Sequence, residues 1–328
     1  MQAKESISSG TWEFQLPRGR RLSVGARPLI AGVINCTPDS FSDGGAHATS
    51  DAAVRAGLEM VSQGADWIDV GGESTRPGAS PVPAEVELGR VLPVIRGLRS
   101  ETDAPISVDT MKPEVAARAL EAGADIINDV AGFRDPNWLP VLRQWNVPLV
   151  LVHMKGTPRD MQVDPRYPGG ATEEVLGFFR DRLEGLSRGG VDSQRIFVDP
   201  GIGFGKRLED NLELIRNISR LKSLGRPVFI GTSRKSFLKR ILGQELQELD
   251  LGTVVVNSFA IQWGADVVRV HNVPYARLLV RLYLAFLRAP ARSQISSTKF
   301  RGENLEGDPG REPEEQANSG GCDDPRCS

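Results

Sequence analysis

The chain has 328 residues with 40 basic against 42 acidic side chains, and a formal charge of −2 lacks the basic excess of a nucleic-acid-binding protein. Its 40% hydrophobic and 25% charged content is that of an ordinary globular protein, and no stretch approaches the run of about 20 apolar residues that a membrane span needs. Three cysteines, two of them (Cys322 and Cys327) in a polar tail, exclude a disulfide framework, while residues 1–10 are polar and include Glu5, so the expectation is a cytoplasmic protein without a secretory leader.

Residues 1–27 are Ser- and Arg-rich with little periodicity and read as a flexible N-terminal extension. From residue 28 onward, short β-rich apolar runs alternate with longer helical patterns, the signature of parallel strands joined by helical crossovers. The expected strands are 29–34, 66–70, 105–109, 125–129, 148–152, 195–199, 227–231 and 266–270. Helices are expected between them, for example over 52–62, with Ser50 and Asp51 as possible caps and Gly64 beyond its end. Three connectors echo one another: Gln63-Gly64-Ala65-Asp66, Ala122-Gly123-Ala124-Asp125 and Trp263-Gly264-Ala265-Asp266. Each fits a helix ending at Gly and feeding a strand. Residues 290–328 hold almost no large apolar side chains after Phe300 and read as a disordered tail, too poor in apolar surface to offset its ordering entropy. The stretch 28–289 that remains is close to the roughly 250 residues of a (β/α)8 barrel. An open doubly wound sheet alternates in the same way, but eight strands favour a closed, single-domain (β/α)8 TIM barrel.

Nearly every expected strand ends in a polar group: Asn35, Asp69, Asp109, Asn128 with Asp129, His153, Asp199, Ser233-Arg234-Lys235, and Arg269 with His271. In such a barrel the carboxyl ends of all strands open on one face, which carries the active site. A single Asp or Asn after a strand is often only a helix cap or a turn; a polar terminus on almost every strand is harder to explain by packing. The three histidines are far apart and no H-E-x-x-H spacing occurs, so His47 and His153 read as structural or solvent-facing rather than as zinc ligands. Gly201-Ile202-Gly203-Phe204-Gly205-Lys206 fails the phosphate-loop spacing and reads instead as a flexible loop that lets a flat ligand approach the backbone. Arg234, Lys235, Arg269 and His271 form a cationic cluster suited to phosphate, with Lys239 and Arg240 as candidates for a merely solvated patch. Asp109, Asn128 and Asp199 offer acceptors for the N–H edge of a guanidine-like or pteridine ring. Carboxylates facing cations in one cleft suggest a bipolar ligand.

The loop Asn35-Cys36-Thr37-Pro38-Asp39-Ser40-Phe41-Ser42-Asp43-Gly44-Gly45 closely resembles the first mobile loop of the dihydropteroate synthase family, and Gly71-Gly72-Glu73-Ser74-Thr75-Arg76-Pro77-Gly78-Ala79 resembles its second. Ser107–Thr110, Ile127–Val130, His153-Met154 to Met161-Gln162, Asp199–Gly201, Ser233–Ser236 and Arg269–His271 follow in that family's order, so the resemblance spans about 28–287. It implies condensation of (7,8-dihydropterin-6-yl)methyl diphosphate with 4-aminobenzoate, the folate-pathway step that sulfonamides block. It also implies a homodimer. By resemblance, Asp109, Asn128, Asp199 and Lys235 hold the pterin, and Asn35, Arg269 and His271 take the diphosphate, with Asn35 also contacting Mg²⁺. Thr75 matches a substrate-contact position. Phe41, Arg76, Pro77 and Ser236 line the aminobenzoate pocket, and Asp43 caps the closed site; Asp43, Lys235, Arg269 and His271 are the implied catalytic set. An aromatic amine is neutral at pH 7 and diphosphate is a good leaving group, so electrostatic stabilisation should carry most of the catalysis.

Two positions depart from the family pattern. Asn272 stands where Asp is usual after the strand-eight His; if that Asp orients the imidazole, the diphosphate site is weakened. Cys36 stands where an aliphatic residue is common, which implies packing and a minor sensitivity to oxidation. Two other readings compete: a pterin-binding methyltransferase on the same barrel, and an inactive paralogue kept as a binding module. The loop 37–45 and the segment Ser233-Arg234-Lys235-Ser236 argue against the first; Asn272 is the one hint of the second, and the loops argue against it.

Overall fold

The computed structural model describes residues 10–37, 46–243 and 245–289. Strands β1 (Trp12–Gln15) and β2 (Arg21–Val24) pair as an antiparallel hairpin. Eight parallel strands follow: β3 (Leu29–Asn35), β4 (Trp67–Gly71), β5 (Ile106–Asp109), β6 (Ile126–Asp129), β7 (Leu149–Val152), β8 (Ile196–Asp199), β9 (Phe229–Ile230) and β10 (Val267–Val270). Their order in the sheet is β8-β7-β6-β5-β4-β3-β10-β9. The seam between β8 and β9 is bridged where Val198 N donates to Pro227 O at 3.0 Å. The sheet therefore closes, and the expected (β/α)8 barrel forms. Only the expected strand 227–231 is clearly shorter than read.

Helices fill the crossovers: α1 (Ala46–Ser62), α2 (Ala84–Glu101), α3 (Pro113–Ala122), α4 (Trp138–Gln144), α5 (Ala171–Arg188), α6 (Leu208–Arg216), the short α7 (Ile218–Leu221), α8 (Ser236–Leu242), α9 (Leu246–Gln262) and α10 (Val273–Arg288). Strand residues alternate between the two faces of the barrel wall. On β4, Ile68 and Val70 join the large core under the helices, while Trp67 points into the barrel. The same alternation sends Val268 and Val270 of β10 outward and Val267 inward. The lower interior is thus an apolar plug of Trp67, Phe197, Phe229 and Val267. Above that plug, the inward positions of β4, β5, β8 and β10 are Asp69, Ser107 with Asp109, Asp199 and Arg269.

The hairpin over residues 12–24 corrects that part of the reading of 1–27 as a flexible extension. Phe14, Leu16, Leu22 and Val24 are buried against the plug, and the Phe14 ring stacks on Phe197 at 4.7 Å. The alternation over two four-residue strands was too short to stand out. The reading of 290–328 as a disordered tail lies outside the described residues.

The Gly-Ala-Asp echo has a structural explanation. Gly64, Gly123 and Gly264 all adopt positive φ (101°, 130° and 107°), the backbone that ends a helix and turns into a strand. The Asp that follows caps a neighbouring strand: Asp66 accepts from Ile30 N at 2.8 Å, Asp125 from Ile106 N at 3.0 Å, and Asp266 from Val228 N at 2.7 Å. Arg27, Arg99 and Lys222 neutralise these carboxylates in turn. They close the barrel's lower rim.

Candidate active site

Arg269 on β10 reaches across the barrel, its Nε 2.5 Å from Asp69 Oδ2 and its Nη2 2.9 Å from Asp109 Oδ2. Asp69 also accepts from Ser107 Oγ and, at 3.3 Å, from Asn128 Nδ2. One guanidinium thus serves two carboxylates, Asp69 fully buried and Asp109 11% exposed. Burial, reinforced by the Asp69 charge and only partly opposed by Arg269, pushes the Asp109 carboxyl up to about 7. Asp109 Oδ1 and Asn128 Oδ1 are both buried and accept no hydrogen bond. The two residues are register partners on neighbouring strands β5 and β6. Native interiors seldom leave such atoms unpaired, and the pair invites a ligand with adjacent N–H groups.

Asp199 ends β8 and accepts from Gly201 N at 2.7 Å. Burial pushes its carboxyl up to about 6, against the pull of that backbone bond and of Lys235. Lys235 follows the loop after β9; its Nζ lies 3.8 Å from the centre of the Phe204 ring, and burial with the Arg269 charge pushes it down to about 8. The Gly201–Lys206 loop is fixed, which corrects its reading as flexible. Lys206 Nζ gathers the carbonyls of Gly201 (2.9 Å), Phe204 (3.0 Å) and His153 (3.3 Å) and meets His153 Nδ1 at 2.9 Å. Gly201, Gly203 and Gly205 all have positive φ, and a Cβ on Gly201 would lie 1.9 Å from His153 O. The glycines curl the chain around the ammonium. His153 is therefore structural, as the sequence suggested.

Over these groups opens a cavity of about 880 Å³. A profile of the family described as pterin binding enzyme matches residues 31–271. The dihydropteroate synthase of Synechocystis sp. is 44% identical over 261 residues, covering 79% of this chain and 90% of its own. The chain belongs to the dihydropteroate synthase family. A solved Xanthomonas albilineans dihydropteroate synthase with 4-aminobenzoic acid superposes with a TM-score of 0.80 at 41% identity, covering 86% of this chain and 100% of its own. A second structure from that organism, in complex with 7,8-dihydropteroate, gives a TM-score of 0.75 at 37% identity over 85% and 99% of the two chains.

Set against the pattern of the dihydropteroate synthase family, the expected site residues fall into three groups. Asn35, Lys235, Arg269 and His271 line the cavity, as do Thr75, Arg76, Pro77 and Ser236. Asn128 and Asp199 lie buried and Asp109 is largely covered; Asp109 reaches the cavity wall through Arg269, Asn128 through Asp69 and Arg269, and Asp199 through the Lys235 charge. Phe41 and Asp43 lie outside the described residues. The stem of the second loop is pinned by Lys112 Nζ, which bridges Glu73 and Glu87 at 2.6 Å each, and by Arg90 Nη1 on Gly72 O at 2.7 Å. Lys239 lines the cavity and is solvent-exposed, as is Arg240.

The last corner of the site corrects the expectation for position 272. Asn272 does not bond the imidazole of His271. Its Nδ2 donates to Asp250 Oδ2 at 3.0 Å, and its Oδ1 accepts from Tyr275 N at 3.1 Å, capping α10. Asp250 also takes Arg234 through two bonds of 2.7 and 3.0 Å, so that member of the cationic cluster is already neutralised. The partner of His271 Nδ1 is Ser233 Oγ at 2.9 Å. Cys36 packs against the barrel core, and burial pushes its thiol up to about 12, which leaves little reactive thiolate. The sequence reading left Asp69, Lys206, Ser233 and Asp250 without a role. Asp69 and Ser233 carried a signal as polar strand ends and Lys206 as the end of the glycine-rich loop, whereas Asp250 carried none.

Proposed function

We infer that this chain catalyses the family reaction, joining (7,8-dihydropterin-6-yl)methyl diphosphate to 4-aminobenzoate to give 7,8-dihydropteroate and diphosphate. The observation that carries this reading is the pair of unpartnered acceptors, Asp109 Oδ1 and Asn128 Oδ1, beside a cationic cavity wall. They suit the N–H edge of a pterin, with Asp199 as a further acceptor, while Arg269, Lys235 and His271 suit the anionic end. As the bond from the pterin methylene carbon to the diphosphate oxygen breaks, negative charge grows on the leaving group, and Arg269 and His271 donate to it. The neutral aromatic amine attacks the methylene carbon and then releases its proton. Arg76, Pro77 and Ser236, with Phe41, hold the aminobenzoate, and Thr75 is a further substrate contact; Arg76 has no carboxylate partner among the described residues and suits the substrate carboxylate. Asp43 belongs to this account as the residue that would cap the closed site.

The donor set fits Mg²⁺. Asn35 makes no side-chain hydrogen bond with another described residue, and no group of three or more His, Cys, Asp or Glu able to hold a metal occurs among those residues. Mg²⁺ is commonly held by one or two protein oxygens together with substrate phosphates. When bound, it would neutralise charge on the diphosphate, with Asn35 as its protein ligand.

Among the described residues no helix is long and apolar enough to cross a membrane. The reading places the enzyme in the cytoplasm, in keeping with too few cysteines for a disulfide framework. A homodimer is supported by stripes at i, i+4 and i+8 on two helices: Leu251, Val255 and Phe259 of α9, and Leu278, Leu282 and Phe286 of α10, each at least 50% exposed. Light scattering on Val255→Glu and Leu282→Glu tests that assembly. The bipolar site is tested by titrating wild type, Asn128→Ala and His271→Ala with 6-hydroxymethyl-7,8-dihydropterin and with its diphosphate ester. Asn128→Ala should weaken both ligands alike, by about 1–3 kcal/mol. His271→Ala should weaken only the ester. If His271→Ala weakens the bare pterin equally, the bipolar assignment fails.

A further inference from the structure

The loops after β9 and β10 are tied together by one carboxylate. Asp250 holds Arg234 and Asn272, the residues that immediately follow Ser233 and His271. Arg234 is kept at a φ of 55°, a left-handed conformation that a side chain other than glycine seldom adopts unless its surroundings impose it. This clamp fixes the register in which Ser233 meets His271.

Ser233 is 7% exposed. Its Oγ accepts the backbone N–H of His271 at 3.3 Å and lies 2.9 Å from His271 Nδ1. A hydroxyl has one proton to give. No other acceptor within hydrogen-bond reach of Ser233 Oγ occurs among the described residues. If Nδ1 carried the ring proton, Ser233 Oγ would accept twice and its own proton would have no acceptor among the described residues, only the cavity that Ser233 also lines. The proton accounting therefore sends the hydroxyl proton to Nδ1 and leaves the ring proton on Nε2, the nitrogen left to the cavity that His271 lines with Arg269 and Asn35.

We propose that Ser233 is a positioning residue that locks His271 in its Nε2–H tautomer, so that the imidazole presents a hydrogen-bond donor to the leaving diphosphate. This rests on the reaction inferred above. The alternative tautomer would turn a lone pair toward an anion. Burial and the charges of Arg234 and Arg269 push the imidazole down to about 3, so it has a single N–H to offer, and the place of that proton decides whether the ring attracts or repels phosphate. Second-layer partners of this kind fix ring orientation and tautomer in metal sites, where their loss costs 10- to 100-fold.

The test uses the full chain labelled with ¹⁵N in its imidazoles. The three histidines are separated by comparison with His271→Gln. Long-range ¹H–¹⁵N correlation should show His271 as Nε2–H in the wild type. Ser233→Ala should move that signature toward Nδ1–H and weaken inorganic diphosphate, titrated with Mg²⁺, by about tenfold. Binding of the bare pterin should stay unchanged. Ser233→Thr, which keeps the hydroxyl, should restore both signature and affinity. A wild-type His271 found as Nδ1–H, or a Ser233→Ala protein that keeps the wild-type signature, overturns the proposal. Neither result touches the reaction itself, which fails only if the wild type forms no dihydropteroate. Should Ser233→Ala not fold, the wild-type and Ser233→Thr spectra decide.

Discussion

Asp109→Asn should make this protein more stable at alkaline pH and worse at holding pterin. The Asp109 carboxyl is pushed up from 3.8 to about 7, a gap worth about 4 kcal/mol in favour of its protonated form. The folded state therefore retains a proton that the unfolded chain loses. What the group contributes to stability is full below pH 3.8 and is lost as the pH rises through about 7. Asn cannot ionise and so escapes this loss, but it also gives up the charge in the 2.9 Å contact to Arg269. That exchange should leave a net gain of about 1–2 kcal/mol at pH 8, or roughly 2–4 °C in Tm. At pH 5 the gain should vanish. Arg269 only donates, so it should claim the amide oxygen and leave the NH2 group where Asp109 Oδ1 now offers lone pairs. Two donors would then face each other, weakening pterin by about 1–3 kcal/mol, roughly 5- to 150-fold. Thermal unfolding at both pH values and calorimetry with the bare pterin measure the two effects. Misfolding cannot raise stability while lowering affinity. A variant no more stable at pH 8 than at pH 5 relative to wild type, or one with wild-type pterin affinity, refutes the reasoning.

Lys206→Met leaves the carbonyls of His153, Gly201 and Phe204 without their shared donor and should lower Tm by roughly 5–10 °C at pH 7. Burial pushes Lys206 down from 10.5 to about 7, so the unfolded chain binds its proton more readily and wild-type stability should gain from this group between those pH values; the Met variant should lose that gain in pH-dependent unfolding. Asn272→Asp sets a carboxylate against Asp250, where an amide now donates at 3.0 Å. It should cost about 1 kcal/mol at pH 8, recovered near pH 4, and change turnover by less than tenfold; equal melting temperatures at pH 8 would show that the contact is immaterial.

The barrel could be read from the chain because its strands are β-branched runs set between glycine-ended helices, and because each strand's polar terminus had no reason to be buried in a core. The hairpin was hidden by brevity: Phe14, Leu16, Leu22 and Val24 alternate, but over strands of four residues on either side of Pro17–Gly19. Asp69 was visible as a polar strand end, yet its partner Arg269 lies 200 positions away, and only the closure of the barrel brings them together. Closure also joins what the sequence kept apart. Asp109 belonged to the heterocycle end and Arg269 to the phosphate end, but they form one ion pair, so Arg269→Ala would disturb both ends at once. The fixed Gly201–Lys206 loop escaped notice because glycine count signals freedom, whereas these glycines curl their carbonyls onto a single ammonium.

The most direct measurement mixes the purified chain with (7,8-dihydropterin-6-yl)methyl diphosphate, 4-aminobenzoate and Mg²⁺, and quantifies 7,8-dihydropteroate and diphosphate together. The account predicts that the two products appear in equal amounts, that their formation requires both substrates, and that it is lost in Arg269→Ala. Tight pterin binding with no dihydropteroate formed would contradict it and leave the barrel as a binding module.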